Sequence, residues 1–558
     1  MKTYLWAAAL LFAAPAAADT LVDHVDGITL DESGKLRRFT GLVIGDDGRI
    51  EQVLARGDKR PGKPDFYVDG KGRVMLPGMI DSHAHLMGVG LGTVTLDLSQ
   101  TRSLAEAQAK IAAYVKAHPD RPWIIGRGWN QELWGLGRFP TAGDLDAVVA
   151  DRPVWLERVD GHAGWANTAA LNAAQVGAAT RDPVGGHIER VAGSAKPAGV
   201  LVDNAKALVE RVVPQPRPED LDAALYAAQN VMFGHGITAV AVMGTPIEHW
   251  QAYRRAGDNG TLRLRIMAYA EGVEAMELIG GPGPSPWLYE DRLRLNGVKL
   301  YADGALGSRG AALKTPYADE PKSTGLRLLS DTQLKNLMSR AAMDHFQIAV
   351  HAIGDAANAS VLDAIGELAE TYKGDRRWRI EHAQVVDPAD IPKFGKFGVI
   401  ASMQPVHQTS DRLMAEARLG TTGPNGARLA GAYAWRSIAA TGARLVFGSD
   451  APVEEPDPFA GFAAAITRQG PDGEPYGGWQ AQERVTREAA LAAYTSDGAW
   501  AGFGEGRFGR LSKGQRADFV LVDHDPLLAT PAEIRAMRVS ETWVGGARVF
   551  AAPSTDTK

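Results

Sequence analysis

Met75-Leu76-Pro77-Gly78-Met79-Ile80-Asp81-Ser82-His83-Ala84-His85-Leu86 is the stretch around which the rest of the chain is arranged. A short apolar run, interrupted by Pro77 and Gly78, ends in two histidines one residue apart. Alternate residues of a strand face the same side, so His83 and His85 project together. Two imidazoles at one rigid strand end make half of a metal site. Alone, the pair also reads as two histidines with no metal; what raises it is the company further along.

Seven more β-like runs follow, at 237–242, 262–269, 297–301, 347–351, 378–382, 399–403 and 444–450, alternating with Ala-rich helical segments. With the run that ends at His85 they make eight strands separated by helices. That is the count of an α/β chain folded as a (β/α)8 TIM-like barrel. An open doubly wound sheet is the alternative, but no Gly-rich phosphate loop supports it. About 150 residues separate the first two runs, far more than one helix needs. A large insertion after the first barrel strand is therefore expected at about 93–214, as a lid or pocket wall. Pro214-Gln215-Pro216-Arg217-Pro218 closes it as a stiff linker.

Strand-like runs also occur at both ends. Residues 21–25, 41–44 and 50–54 surround the hairpin signal Asp46-Asp47-Gly48-Arg49, and 517–522, 539–544 and 547–550 surround Gly545-Gly546. Neither end can bury a core alone. One small β-sandwich domain built from both termini is the expected solution, with the barrel inserted into it. The division is then 1–18 as a signal peptide, 19–75 and 510–558 as the two parts of the small domain, and 76–509 as the barrel.

The signal reading rests on Lys2, an apolar run over 4–14 and the Ala16-Ala17-Ala18 cleavage pattern. The run is too short to span a bilayer comfortably. A mature protein in the periplasm, or outside the cell, with no membrane segment is expected. Of 558 residues, 45% are hydrophobic and 23% charged, with a net charge of −6. No basic excess exists to hold a polyanion, so nucleic acid is not an expected partner. A small-molecule substrate is, and pairing into a homodimer stays open. Cys is absent, which excludes disulfides, thiolate metal sites and a cysteine nucleophile.

The active site of such a barrel lies at the C-terminal ends of its strands. The polar residues there are His83, His85, Lys299, His351, His382 and Asp450. Four imidazoles with an acid and no thiol suit Zn2+ first, and Mn, Fe, Co or Ni after it.

Six motifs, in this order, resemble the amidohydrolase superfamily. They are Leu76-to-His85, Asp160-Gly161-His162, Val298-Lys299-Leu300-Tyr301-Ala302-Asp303-Gly304, His351-Ala352-Ile353-Gly354-Asp355, Arg379-Ile380-Glu381-His382-Ala383-Gln384 and Gly448-Ser449-Asp450-Ala451-Pro452. The match is to its branch of YtcJ-like metal-dependent hydrolases, which includes N-substituted formamide deformylase. The resemblance implies that His83, His85 and Asp450 hold one metal ion, and His351 and His382 a second. Lys299 would bridge them as a carbamate formed with carbon dioxide (an N6-carboxylated lysine). An unmodified Lys299 paired with Asp303 at a single-metal site is the alternative.

The expected activity is hydrolysis of a C–N bond in an amide, N-acyl or N-formyl compound by a metal-bound hydroxide, with Asp450 as general base and then acid. Ester, lactone or cyclic-amide hydrolysis, or deamination, would use the same ligands. A non-catalytic metal or solute binder is the third reading. Substrate contacts are open at His162, Asp303, Arg309 and His407, each with a structural alternative. Trp129, Trp134 and Trp165 read either as pocket lining or as packing.

Overall fold

The computed structural model describes residues 19–422 and 426–553. The segment read as an export signal, residues 1–18, lies outside the described residues.

Eight parallel strands form the central sheet: β1 Met79–Ala84, β2 Ile237–Thr245, β3 Arg265–Glu271, β4 Leu293–Tyr301, β5 Gln347–Ala352, β6 Arg379–His382, β7 Ile400–Met403 and β8 Leu445–Phe447. Each pairs with its neighbour in chain order, as helix crossovers require. The sheet nearly closes on itself. The Asp450 amide donates to the His83 carbonyl and the His85 amide to the Ala451 carbonyl, both at 2.7 Å, and these bonds stitch the end of β1 to the turn after β8.

Residues alternate along each strand between two cores. Ala239, Ala241 and Met243 of β2 face inward with Ile80, Met267 and Tyr269. Val240 and Val242 face the surrounding helices. Helix Leu86–Gly92, directly after β1, lies against helix Pro218–Gly234. A Cβ on Gly90 would lie 1.9 Å from the Ala224 carbonyl oxygen, so only glycine permits that approach. Pro218 is the first residue of its helix, where its missing N–H costs nothing. The expected linker therefore runs directly into a helix.

Several strand ends differ from expectation, β4 for example starting four residues earlier at Leu293, and three of the shifts bear on the site or on its support. β1 stops at Ala84, and His85 precedes the next helix. β3 starts at Arg265, three residues later than expected, where its guanidinium pairs with the buried Asp518 carboxylate. β8 covers Leu445–Phe447 alone, because the chain turns left-handed at Asp450, with φ 61°.

The segment between β1 and β2 has its own six-stranded sheet. Its order is Gly186–Arg190, Pro197–Asp203, Ala163–Ala166, Val154–Arg158, Ile124–Trp129 and Leu96–Asp97. Trp129, Trp134 and Trp165 are buried in its core and meet edge to face at 6.0 and 6.1 Å, which identifies them as packing residues. Arg127 of this segment donates to the Pro452 carbonyl at 3.0 Å, which ties it to the turn that carries Asp450.

Strands from both ends of the chain share one further eight-stranded sheet, in which Val74–Pro77 pairs antiparallel with Phe519–Val522. Phe519 and Leu521 face a core with Phe39, Leu42 and Trp543, while Val520 and Val522 pack toward the barrel helices. The two expected turns meet: a Cβ on Gly48, with φ 73°, would lie 2.2 Å from the Gly545 carbonyl oxygen. No helix of the described residues is long and apolar enough to cross a membrane.

Candidate metal centre

The C-terminal ends of β1, β5, β6 and β8 bring histidines and one aspartate to a single point. Nitrogen or oxygen atoms of His83, His382 and Asp450 all lie within 4.8 Å of one another, and all three residues are buried. Asp450 Oδ1 is 3.3 Å from His83 Nε2 and 3.2 Å from His85 Nε2. Its Oδ2 is 3.9 Å from His382 Nδ1 and 3.8 Å from His407 Nε2. The rings of His382 and His351 have centroids 4.6 Å apart. Lys299 is buried, with Nζ 3.5 Å from His83 Nε2 and 4.7 Å from the Tyr301 ring centroid.

Burial and charge push several of these groups toward the states in which they bind a divalent cation. Burial keeps His351 and His382 well below the ordinary histidine value, aided by neighbouring positive groups. Burial alone would raise the Asp450 carboxyl, but His83, His85 and His382 hold it well below the usual range. Burial also lowers Lys299 to about 8, against the opposing pull of Glu381 and Asp450. Asp450 Oδ1 is buried without a hydrogen-bond partner, a costly state for a carboxylate oxygen unless a cation completes it. Clustered imidazoles, an ionised carboxylate and one orphaned oxygen fit a metal ion.

Supporting residues fix these groups. His83 Nδ1 is 2.7 Å from Glu381 Oε2, which turns Nε2 toward Asp450 and Lys299. Glu381 is in turn bound by Arg379 at 2.7 and 3.2 Å. Arg379 also donates to Tyr269 Oη, the Ser82 carbonyl and Ser402 Oγ. His382 Nδ1 is 2.9 Å from Gln404 Oε1. Asp81 accepts from the His83 and Ser449 amides, at 3.1 and 3.0 Å, and from Ser449 Oγ. His382 and Asp450 both have left-handed φ, 73° and 61°, the kind of backbone strain that concentrates at functional sites.

Of the residues expected at substrate, His407 and His162 stand at the cluster. His407 Nδ1 lies 3.2 Å from Gln384 Nε2, and its Nε2 is buried and unpartnered beside Asp450. The His162 ring centroid is 4.9 Å from that of His351. Asp303 is used otherwise. Its buried carboxylate accepts from the amides of Ala312, Ile353 and Gly354 at 2.8, 3.0 and 2.8 Å. That position braces the loops after β4 and β5. Arg309 is paired with Asp319 at 2.8 Å. His351 Nε2 faces the Gly304 carbonyl at 3.3 Å and Asp303 Oδ1 at 3.6 Å.

A family model described as the amidohydrolase family matches residues 67–550. The chain belongs to that family. Among curated relatives, the YtcJ amidohydrolase of Bacillus subtilis is 32% identical, with 92% of this chain and 96% of that protein covered. The N-substituted formamide deformylase of Arthrobacter pascens is 27% identical, with 90% and 94% covered. A metal-dependent hydrolase of Pyrococcus horikoshii shares the fold, at a TM-score of 0.72 and 24% identity over 92% of this chain and 99% of that one. This amidohydrolase thus places its candidate metal ligands at the carboxyl ends of a parallel barrel, with the buried Glu381–Arg379 pair beneath them.

Proposed function

We propose that this amidohydrolase cleaves a C–N bond of a small amide, of the N-acyl or N-formyl kind, at a divalent metal centre. The observation that carries the reading is the convergence of His83, His382 and the unsatisfied Asp450 Oδ1 at the barrel mouth. His83, His85 and Asp450 would hold one ion, zinc by donor type, and His351 and His382 a second. Lys299 would join the two as a carbamate. Its burial and its lowering to about 8 raise the share of the neutral amine, the form that adds carbon dioxide. When bound, the metal supplies Lewis-acid chemistry, lowering the pKa of water toward neutrality and polarising a carbonyl.

The chain's own residues supply the rest. Asp450 accepts the proton of the attacking water and returns it to the leaving nitrogen, as general base and then acid. Glu381 keeps the His83 proton on Nδ1, away from the reaction. The name of the Arthrobacter relative, N-substituted formamide deformylase, supports an amide over an ester.

The test is metal-replete enzyme against matched N-formyl, N-acyl and ester substrates, with and without chelator. Chelator-sensitive amide turnover is expected. Turnover of esters or lactones alone would reassign the bond, and no turnover with any of them would refute the reading. Export is proposed from residues 1–18, and N-terminal sequencing of protein from the periplasm or medium should begin at Asp19.

A further inference from the structure

We propose that His162 is a substrate-contacting residue which the insertion delivers to the ligand cluster, and that Asp203 is its positioning residue. The proposal rests on the hydrolase reading above.

His162 extends a row of imidazoles. Ring centroids are 4.6 Å apart between His83 and His382, 4.6 Å between His382 and His351, and 4.9 Å between His351 and His162. Asp450 touches His83, His85, His382 and His407, and His162 stands beyond His351. Asp450 therefore sits at the His83–His382 end of the row and His162 at the other end. The first three histidines come from barrel strands; His162 alone comes from the insertion, just before strand Ala163–Ala166.

A packing histidine does not need a buried anion, yet this one has its own. The Asp203 side chain is 1% exposed and its Oδ1 lies 2.6 Å from His162 Nδ1. Its Oδ2 is buried with no hydrogen-bond partner. A carboxylate is costly to bury with so little compensation, and such pairs cluster at active sites. Asp203 itself has φ 49°, a left-handed conformation that an aspartate adopts at a cost.

The loop after the Lys299 strand is shaped around this carboxylate. A Cβ on Gly304 or on Gly310 would lie 2.3 or 2.5 Å from Asp203 Oδ2. Glycine at both positions lets the loop close over the carboxylate without displacing it. The Asp203 amide also donates to the His162 carbonyl at 2.8 Å, so backbone and side chain fix the pair together. With Nδ1 held, Nε2 is the nitrogen left to meet a ligand, and it has no hydrogen-bond partner among the described residues. Its role is a hydrogen bond to the amide under cleavage, which orients the scissile bond toward the metal ligands.

The experiment compares wild type, His162→Gln, Asp203→Asn and the double variant, all metal-replete. Bound metal per chain, kcat, KM and calorimetric affinity for acetohydroxamate (an amide analogue that chelates metals) are read for each. Unchanged metal content is expected, with kcat/KM and hydroxamate affinity falling about a hundredfold and about tenfold in His162→Gln. Asp203→Asn reverses the hydrogen-bonding sense at Nδ1, so a large part of the same loss and an altered pH profile are expected. The double variant should be no worse than His162→Gln, because the two residues act as one unit. Wild-type kinetics and hydroxamate affinity in His162→Gln, additive losses in the double variant, or loss of metal would overturn the proposal. Wild type that binds hydroxamate but turns over no substrate would refute the hydrolase reading, and the affinity arm would still decide His162. Absence of hydroxamate binding to metal-replete wild type would overturn the inference itself.

Discussion

Glu381→Gln removes one negative charge from the barrel interior and keeps the side-chain shape. Burial pushes the Glu381 carboxyl up, but the Arg379 guanidinium and His83 outweigh it and hold the group at about 2, against an ordinary 4.5. That displacement corresponds to ~3 kcal/mol of stability at neutral pH. Because the folded value is the lower one, the contribution is complete above pH 4.5 and disappears as pH falls through 2. The substitution also leaves Arg379 buried without its counter-charge, a situation that costs about 3–5 kcal/mol. His83 loses the acceptor that fixes its tautomer, which should weaken metal binding about tenfold or more.

The assay is thermal unfolding of metal-free protein from pH 3 to 8, paired with metal competition against a chelator. Glu381→Gln should unfold at lower temperature at neutral pH, and its deficit should shrink below pH 4.5. The double variant Arg379→Met with Glu381→Gln removes both charges, so it should recover at least ~1 kcal/mol relative to Glu381→Gln. A Glu381→Gln protein with wild-type stability and metal affinity would refute the reasoning. So would a double variant as unstable as the sum of its parts.

Asp450→Asn should lower kcat about 10³-fold or more while some metal stays bound through the histidines, checked by turnover beside metal analysis. Zinc should raise the unfolding temperature of wild type and not of His83→Ala with His382→Ala, which scanning calorimetry reads directly. Burial raises Asp303 to about 7, so the folded state holds a proton there that the unfolded state releases. Stability from this group should therefore decline as pH rises from about 4 to 7, and Asp303→Asn should flatten that slope in pH-resolved unfolding. Gly90→Ala forces a methyl against the Ala224 carbonyl oxygen, 1.9 Å away, and should cost about 1–3 kcal/mol in the same assay.

The parallel eight-strand order and the converging histidines were legible in the sequence because each imidazole follows an apolar β-rich run. Register along those runs was less so. Asp450 lies three residues past β8, since nothing in Phe447-Gly448-Ser449-Asp450 announces a left-handed turn. Glu381 was visible in its motif, but its partnership with His83 spans 298 positions and becomes evident only when β1 and β6 face one barrel interior. A signal existed: Arg379 and Glu381 alternate with apolar residues on a strand expected to be buried, which marks an interior charge pair. Asp203 had no such mark, because its meeting with His162 depends on two insertion strands pairing. Asp303 and Arg309 looked available for substrate by position, and their commitments to backbone amides and to Asp319 appear only in three dimensions.

Pairing of Val74–Pro77 with Phe519–Val522 has a consequence for biosynthesis. The strand immediately ahead of the first histidine pair has one edge completed by residues made more than four hundred positions later. A ribosome-bound nascent chain can build most of the barrel, yet the segment that anchors β1 keeps an open edge until Phe519–Val522 has emerged. Docking of the last strands should therefore be a late event, and trimming the chain from Phe519 onward should leave a sticky, aggregation-prone border beside the histidines.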